Sequence, residues 1–369
     1  MDLRSNFRAI MDYEPHDHMP VWYFGTWEET KARWSQEGLA GIALTGDAGP
    51  DVPGMDADWE LGMWDLHGLM NPGPISRSPR EVLEEGETHR VVRTELGAVI
   101  KESKAGASIP QHLQEALAPT REGWVRFKQY LDPADPARRA PDWEERVAAL
   151  NARQRVTTIL GGSLYGWPRD WLGTEHISLL CYDDPALFEE IIDFTANHFM
   201  HVCAPLLREV SFDFVYFFED CCGSSGPLFS PATYRRYYAK YYRRMLDFYR
   251  GLGVKRILID SDGDMEPLIP CWLDSGFDIL FPIEVGTWRA DPVRLRRKFG
   301  KSLRMMGGVD KHIIPMGEQA IREHLLPLRA VTDEGGFIPF PDHRIPPNCT
   351  LAQFETYVRV FDEVFNSLP

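Results

Sequence analysis

From about Val156 to the C-terminus the chain alternates short apolar runs with helical stretches, without a break. The runs are Val156–Leu160, Phe212–Phe218, Val254–Ile259, Asp278–Phe281, Leu303–Met306 and Phe337–Phe340. They show little polar alternation, which is the pattern of parallel strands covered on both faces. The helices between them are punctuated at both ends. Asp184-Pro185 opens a long one and Ser230-Pro231 opens 231–251, each with a capping side chain followed by a proline in the first turn. Gly276 closes 264–275 and Gly300 closes 292–299. Helices at 317–330 and 350–367 complete the series.

Parallel strands need crossover connections, so this order dictates an α/β fold. Val21–Phe24 adds a further strand near the N-terminus, and the total approaches eight. The expectation is a (β/α)8 TIM barrel. The alternative is a doubly wound sheet. No GxGxxG follows a strand, Gly161–Gly166 has the wrong spacing, and there is no P-loop. One domain over 1–369 is expected, with an excursion at about 46–112. That excursion holds Trp59 and Trp64 and a hairpin of Arg90–Thr94 and Ala98–Lys101 about Leu96-Gly97. Helices are predicted at 27–39, 112–131 and 143–153, with a loop over Asp132–Pro141.

Charge and composition narrow the partners. The formal net charge is −15, which disfavours nucleic acid and anionic membrane surfaces. Hydrophobic residues make up 44% of the chain, enough for a large core and against disorder. No apolar run reaches 18 residues, and Met1–Met11 lacks the apolar stretch of a secretory signal. The scattered Cys181, Cys203, Cys221, Cys222, Cys271 and Cys349 form no CxxC pair and read as reduced thiols of a cytoplasmic protein.

The residues just after the apolar runs carry the chemistry. The runs lead to Glu219-Asp220, to Asp260-Ser261-Asp262, to Glu284, to Asp310 and to Asp342-His343. In a barrel these strand ends converge on one mouth. An Asp in such a position often only caps the next helix, but clustered carboxylates also need protons, a metal or basic partners. Three weaker patterns favour structural readings. Asp310-Lys311-His312 begins a DxHxxG cobalamin motif, yet Pro315 stands where the glycine belongs. His198 and His201 lie three apart on a helix with no third ligand near. Cys221-Cys222 fits a Gly-rich turn.

A string of blocks resembles the uroporphyrinogen decarboxylase superfamily: Phe218-Glu219-Asp220, Ser225–Pro231 before a Tyr-rich helix, Asp260–Asp264, Pro282-Ile283-Glu284, Gly307–Lys311 and Gly335–Pro339. The order holds over 150–367 and implies a (β/α)8 barrel. Decarboxylases of this superfamily carry an arginine-rich block of the type RQAGRY near the N-terminus. The matching stretch here, Tyr23–Glu28, has no arginine, so porphyrinogen decarboxylation is not expected. The methyltransferase branch resembles the chain better. Its zinc-binding members carry an HxCG block and a distant cysteine. Asp260, Asp262 and Gly263 occupy the HxCG positions, and His343 lies near the cysteine's.

The resemblance implies methyl transfer from a small methylated substrate, with an aryl methyl ether as the leading example, to a corrinoid protein. Glu219, Asp262 and His343 are the expected catalytic residues. Trp22, Phe24, Tyr165, Trp167, Arg169, Trp171 and Glu284 are the expected substrate contacts. A divalent metal, zinc or magnesium or manganese, would be held by Asp260, Asp262 and His343. The corrinoid would come from a partner protein, and self-association is common in the family. The alternatives are a decarboxylase of a small acid gripped by Arg169, and a non-catalytic role on an enzyme fold.

Overall fold

The computed structural model describes residues 1–39, 54–58, 68–104 and 110–367. Helix α1 (Leu3–Met11) precedes strand β1 (Trp22–Tyr23), helix α2 (Glu28–Gln36) and strand β2 (Ala57–Asp58). Four antiparallel strands follow, β3 (Glu81–Glu85), β4 (His89–Arg93), β5 (Val99–Ser103) and β6 (Gln111–Gln114). Then come α3 (Arg121–Phe127) and α4 (Trp143–Ala152). The regular half runs β7 (Thr158–Gly162), α5 (Gly166–Leu172), α6 (Thr174–Asp183), α7 (Pro185–Glu209) and β8 (Phe214–Phe218). Pro231–Thr233 and a π turn at Tyr234–Tyr238 lead into α8 (Ala239–Gly251), β9 (Ile257–Asp260) and α9 (Ile269–Ser275). The chain ends with β10 (Ile279–Ile283), α10 (Pro292–Phe299), β11 (Arg304–Val309), α11 (Glu318–Leu325), β12 (Phe337–Pro341) and α12 (Leu351–Asp362).

Strands β12, β11, β10, β9, β8 and β7 form one parallel sheet in that order. Beyond β12, a parallel bridge from Ile345 to Thr26 brings in the β1 segment, and β1 pairs in parallel with β2. Eight parallel strands thus lie side by side, with sequence order and spatial order agreeing. A doubly wound sheet reverses its strand order at a switch point; here the order never reverses. The fold is a TIM barrel. Among the described residues no ladder joins β2 to β7.

The capping signals act as the sequence implies. Asp184 accepts the Leu187 N–H and Ser230 the Thr233 N–H, each ahead of a proline at N1. Gly276 closes α9 in the left-handed region, which glycine enters without the penalty a Cβ carries. The predicted hairpin is β4 and β5, extended by β3 and β6 into a sheet with its own small core of Val92, Ala98 and Ile100. One expectation is corrected. The helix predicted over 112–131 begins only at Arg121, because Gln111–Gln114 pairs with β5 as a fully exposed edge strand. An exposed strand has no buried face to impose alternation, so its period is absent from the sequence. Trp59 and Trp64 lie outside the described residues.

Aromatic rings run through the barrel from floor to rim. Phe7 of α1 stacks on Trp22 at 5.7 Å and touches Phe214 at 5.6 Å. Trp22 meets Phe340, Phe340 meets Phe281, and Phe281 stacks on Phe24 at 5.1 Å. Phe24 stacks in turn on His343 at 4.7 Å. This column positions the last imidazole at the C-terminal end of β12.

Candidate active site

The carboxylates at the strand ends divide by what their oxygens hold. Glu219, after β8, is fully buried and faces the β7–α5 loop. It accepts the N–H groups of Leu164 at 2.8 Å, Tyr165 at 2.7 Å and Gly166 at 3.1 Å. Burial raises its pKa, while a hydrogen bond from Tyr242 and these amides pull it back. Glu219 fastens a neighbouring loop and is not open to the mouth, which corrects its expected place as an acid. Asp342, after β12, does the same for two loops. It accepts from Val285 at 2.8 Å, Gly286 at 3.0 Å and Lys311 at 3.2 Å. Asp310 caps the turn at His312 N.

Asp262 and His343 are different. Their side chains face one another, His343 Nε2 to Asp262 Oδ2, at 3.6 Å. The distance exceeds a hydrogen bond, and catalytic contacts of this kind often tighten only around substrate. Asp262 sits on a turn that the sequence fixes. Gly263 follows it at φ 80°, and a Cβ there would stand 2.6 Å from the Gly223 backbone. The Gly263 N–H donates to Glu284 Oε2 at 2.6 Å. The other Glu284 oxygen accepts from Thr287 at 2.9 Å. Burial raises the Glu284 pKa and Asp262 adds to the rise, whereas His343 lowers it. His343 stacks on Phe24 and lies beside Trp27, whose ring centroid is 6.1 Å away.

Asp260, at the end of β9, is half-buried and accepts the Tyr216 hydroxyl at 2.7 Å. Burial holds its pKa well above the usual carboxylate range, and Asp262, Asp220 and Glu284 push it further. The mouth therefore contains a carboxyl group disposed to stay protonated beside an Asp–His pair. Asp220 occupies the left-handed region at φ 40°, a conformation that costs a non-glycine residue roughly 1–3 kcal/mol. There it receives Arg169 Nη1 at 2.9 Å, and Asp170 holds Nη2 of the same guanidinium at 3.1 Å.

The remaining expected contacts separate. Phe24 forms part of the wall beside His343. Trp22 lies inside the barrel between Phe7 and Phe340. Trp167 packs on Phe199 at 4.8 Å and Trp171 on Phe127 at 4.9 Å, joining α5 to α7 and α3. These three tryptophans pack against neighbouring elements of the fold. Tyr165 lines a pocket of about 240 Å³ with Phe229 and Tyr238. Its hydroxyl is buried without an acceptor among the described residues. Sequence reasoning missed Tyr216, whose inward place two residues before Phe218 follows from strand periodicity. It also missed Trp27 and Tyr242, which no local pattern marks.

Asp260, Asp262 and His343 do not fit the metal expected of them. Asp260 is engaged by Tyr216, and among the described residues no three His, Cys, Asp or Glu side chains form a group that could hold a metal ion. A cleft of about 620 Å³ lies elsewhere, between β6 and α3, and none of the predicted site residues lines it. His198, on α7, bonds the Pro72 carbonyl through Nε2 at 2.8 Å, in keeping with packing.

One solved structure agrees with this architecture. A methyltransferase from Methanosarcina mazei superposes with a TM-score of 0.58 at 14% identity, covering 98% of this chain and 99% of that one. At that identity the likeness concerns the fold. A B12-independent methionine synthase from Shewanella sp. W3-18-1 aligns over 94% of this chain and 98% of its own at 10% identity, with a TM-score of 0.41. No curated protein matches, and no described helix is long and apolar enough to cross a membrane. The sequence profile of the family described as Uroporphyrinogen decarboxylase (URO-D) matches residues 171–364. With just over half its length matched, and with the barrel that such a match implies, the chain belongs to the uroporphyrinogen decarboxylase family.

Proposed function

We propose that the protein is a methyltransferase that moves a methyl group from a small, uncharged methylated substrate to a corrinoid presented by a partner protein, with an aryl methyl ether as the model donor. The Asp262–His343 pair carries this reading. It stands at the barrel mouth, against an aromatic wall, among carboxylates. Such a mouth suits a flat neutral ring. It repels carboxylate substrates, and Arg169, the group that would grip one, is held by Asp220 and Asp170. That engagement weighs against the carboxy-lyase alternative.

A methyl ether is inert because alkoxide is a poor leaving group. An imidazolium at His343, oriented by Asp262 on its Nε2 side, donates the proton of its other ring nitrogen, Nδ1, to the ether oxygen as the methyl–oxygen bond breaks. The bonding pair stays on oxygen, the alcohol departs, and the methyl carbon passes to the nucleophile that the corrinoid supplies. Asp262 stabilises the imidazolium before transfer and hydrogen-bonds the neutral ring after it. Asp260, whose pKa desolvation and the neighbouring Asp262 push up, is disposed to hold its proton and so limits the negative charge beside the pair. Phe24 stacks on the imidazole and limits its rotation. Glu219 acts as a positioning residue by fixing the loop that carries Tyr165 and leads into α5 with Arg169.

The test mixes the protein, a reduced corrinoid protein and a panel of methoxylated aromatics and follows methylcobalamin absorbance. Methylation is expected with at least one donor, and His343→Ala should lower its rate about 100-fold or more. An inert panel, or a His343→Ala variant as fast as the parent, overturns the reading.

A further inference from the structure

The N-terminal face of the barrel, opposite the mouth, carries a concentration of positive charge that methyl transfer does not use. Asp213 precedes β8 and its side chain is wholly buried. One of its oxygens accepts from Arg4 Nε and from Arg8 Nε, both at 2.8 Å. The other accepts the Thr157 N–H at 3.0 Å and lies 3.5 Å from Arg153 Nη2. Arg4 and Arg153 meet again on the Ser211 carbonyl, at 2.5 and 2.7 Å. One carboxylate therefore serves three guanidinium groups. Burial and the neighbouring Arg4 push Arg153 down to about 10.

A cavity of about 190 Å³ opens beside this cluster, lined by Phe7, Arg8, Asp12, Asp213, Lys255 and Arg256 among others. Arg256 donates to Asp12 and, at 3.3 Å, to the Lys255 carbonyl. Its Nε is buried with no acceptor among the described residues, and so is that of Arg153. Asp278 lies 3.9 Å beyond Arg256 but is already bonded to Arg250 at 3.1 Å. Cations thus outnumber carboxylates around a small cavity, in a chain whose net charge is −15. Guanidinium groups this close repel one another unless an anion lies between them. Their planar donor forks match a tetrahedral oxyanion. The volume admits one such group and falls short of the roughly 300 Å³ at which drug-sized pockets begin.

We propose that this cavity binds a phosphate group, free or as a phosphate monoester, between Arg8, Lys255 and Arg256. The site is independent of the methyl-transfer chemistry. It lies at the other end of the strands, about 15 Å away for five residues of extended chain.

The experiment titrates the full chain with inorganic phosphate at constant ionic strength, reading heat by calorimetry and Tm by thermal unfolding. Saturable binding and a Tm rise of about 2 °C are expected at saturating phosphate. Lys255 is exposed, so Lys255→Glu keeps the barrel intact. It should weaken binding at least tenfold, and Arg8→Gln should act in the same direction. Glycerol phosphate is the second arm. Tighter binding than free phosphate assigns the cavity to an ester, and equal or weaker binding assigns it to the free ion. A response no different from that to sodium chloride overturns the proposal. So does unchanged phosphate binding by Lys255→Glu.

Discussion

Asp260 shows how one side chain at the barrel mouth can cost stability. Its half-buried carboxyl is partly stripped of water, which raises its folded pKa well above the ordinary 3.8. The folded state therefore holds the proton more tightly than the unfolded chain. Its stability is complete below the ordinary carboxylate value and declines as pH rises through the window up to the folded value. Asp260→Asn keeps an acceptor for Tyr216 and cannot ionise. The variant should gain about 1–2 kcal/mol over the parent near pH 8 and lose that advantage near pH 4, while methyl transfer falls. Denaturant unfolding at the two pH values checks it; an advantage that grows toward acid would contradict the burial argument. At this scale the sequence was informative about which residue types reach the mouth. It was silent on their division of labour. Glu219, Asp262 and Asp342 all follow strands, and only contacts with loops distant in sequence separate the loop fasteners from the acid of the pair.

Among the elements, the β7–α5 loop depends on a single carboxylate. Glu219→Ala would leave three buried N–H groups without acceptors, so a loss of about 3–5 kcal/mol is expected. Glu219→Gln retains one acceptor and should lose less. Thermal unfolding of both variants tests the order. Helix α7 supplies a second case through His198, whose pKa burial depresses to about 4. The unfolded chain takes up a proton below pH 6.5 that the folded chain refuses. Stability is therefore full above 6.5 and declines as pH falls toward 4, by up to about 3 kcal/mol. His198→Asn should flatten the stability–pH curve across that window, and an unchanged slope would assign the acid lability elsewhere. Element boundaries were clearest where capping chemistry marks them, as at Asp184 and Ser230. They were least clear at β1 and β2, two residues each, and at β6, whose exposed edge leaves no hydrophobic period.

At the scale of the molecule, α1 closes the barrel floor through Phe7, which no part of the sequence pattern singled out. Phe7 is fully buried against Trp22 and Phe214. Phe7→Ala should cost about 3–5 kcal/mol, read as a fall in denaturant midpoint. A loss under 1 kcal/mol would mean that the helix docks without the ring. The parallel barrel was legible because its strands are covered on both faces and so read as unbroken apolar runs. Its floor and its inserted sheet were not, because both depend on contacts between segments far apart in the chain.

The carboxylates that fasten loops have a consequence for how such a protein can change. Glu219 grips the connection after β7 from the end of β8, Glu284 grips the turn after β9 from the end of β10, and Asp342 grips two connections from the end of β12. Each of these rim segments is thus anchored by another strand's residue. Transplanting one segment from a relative would strand its anchor, so specificity should be exchangeable only in adjoining pairs, and the rim evolves as an interlocked ring of hands, not as separate cassettes.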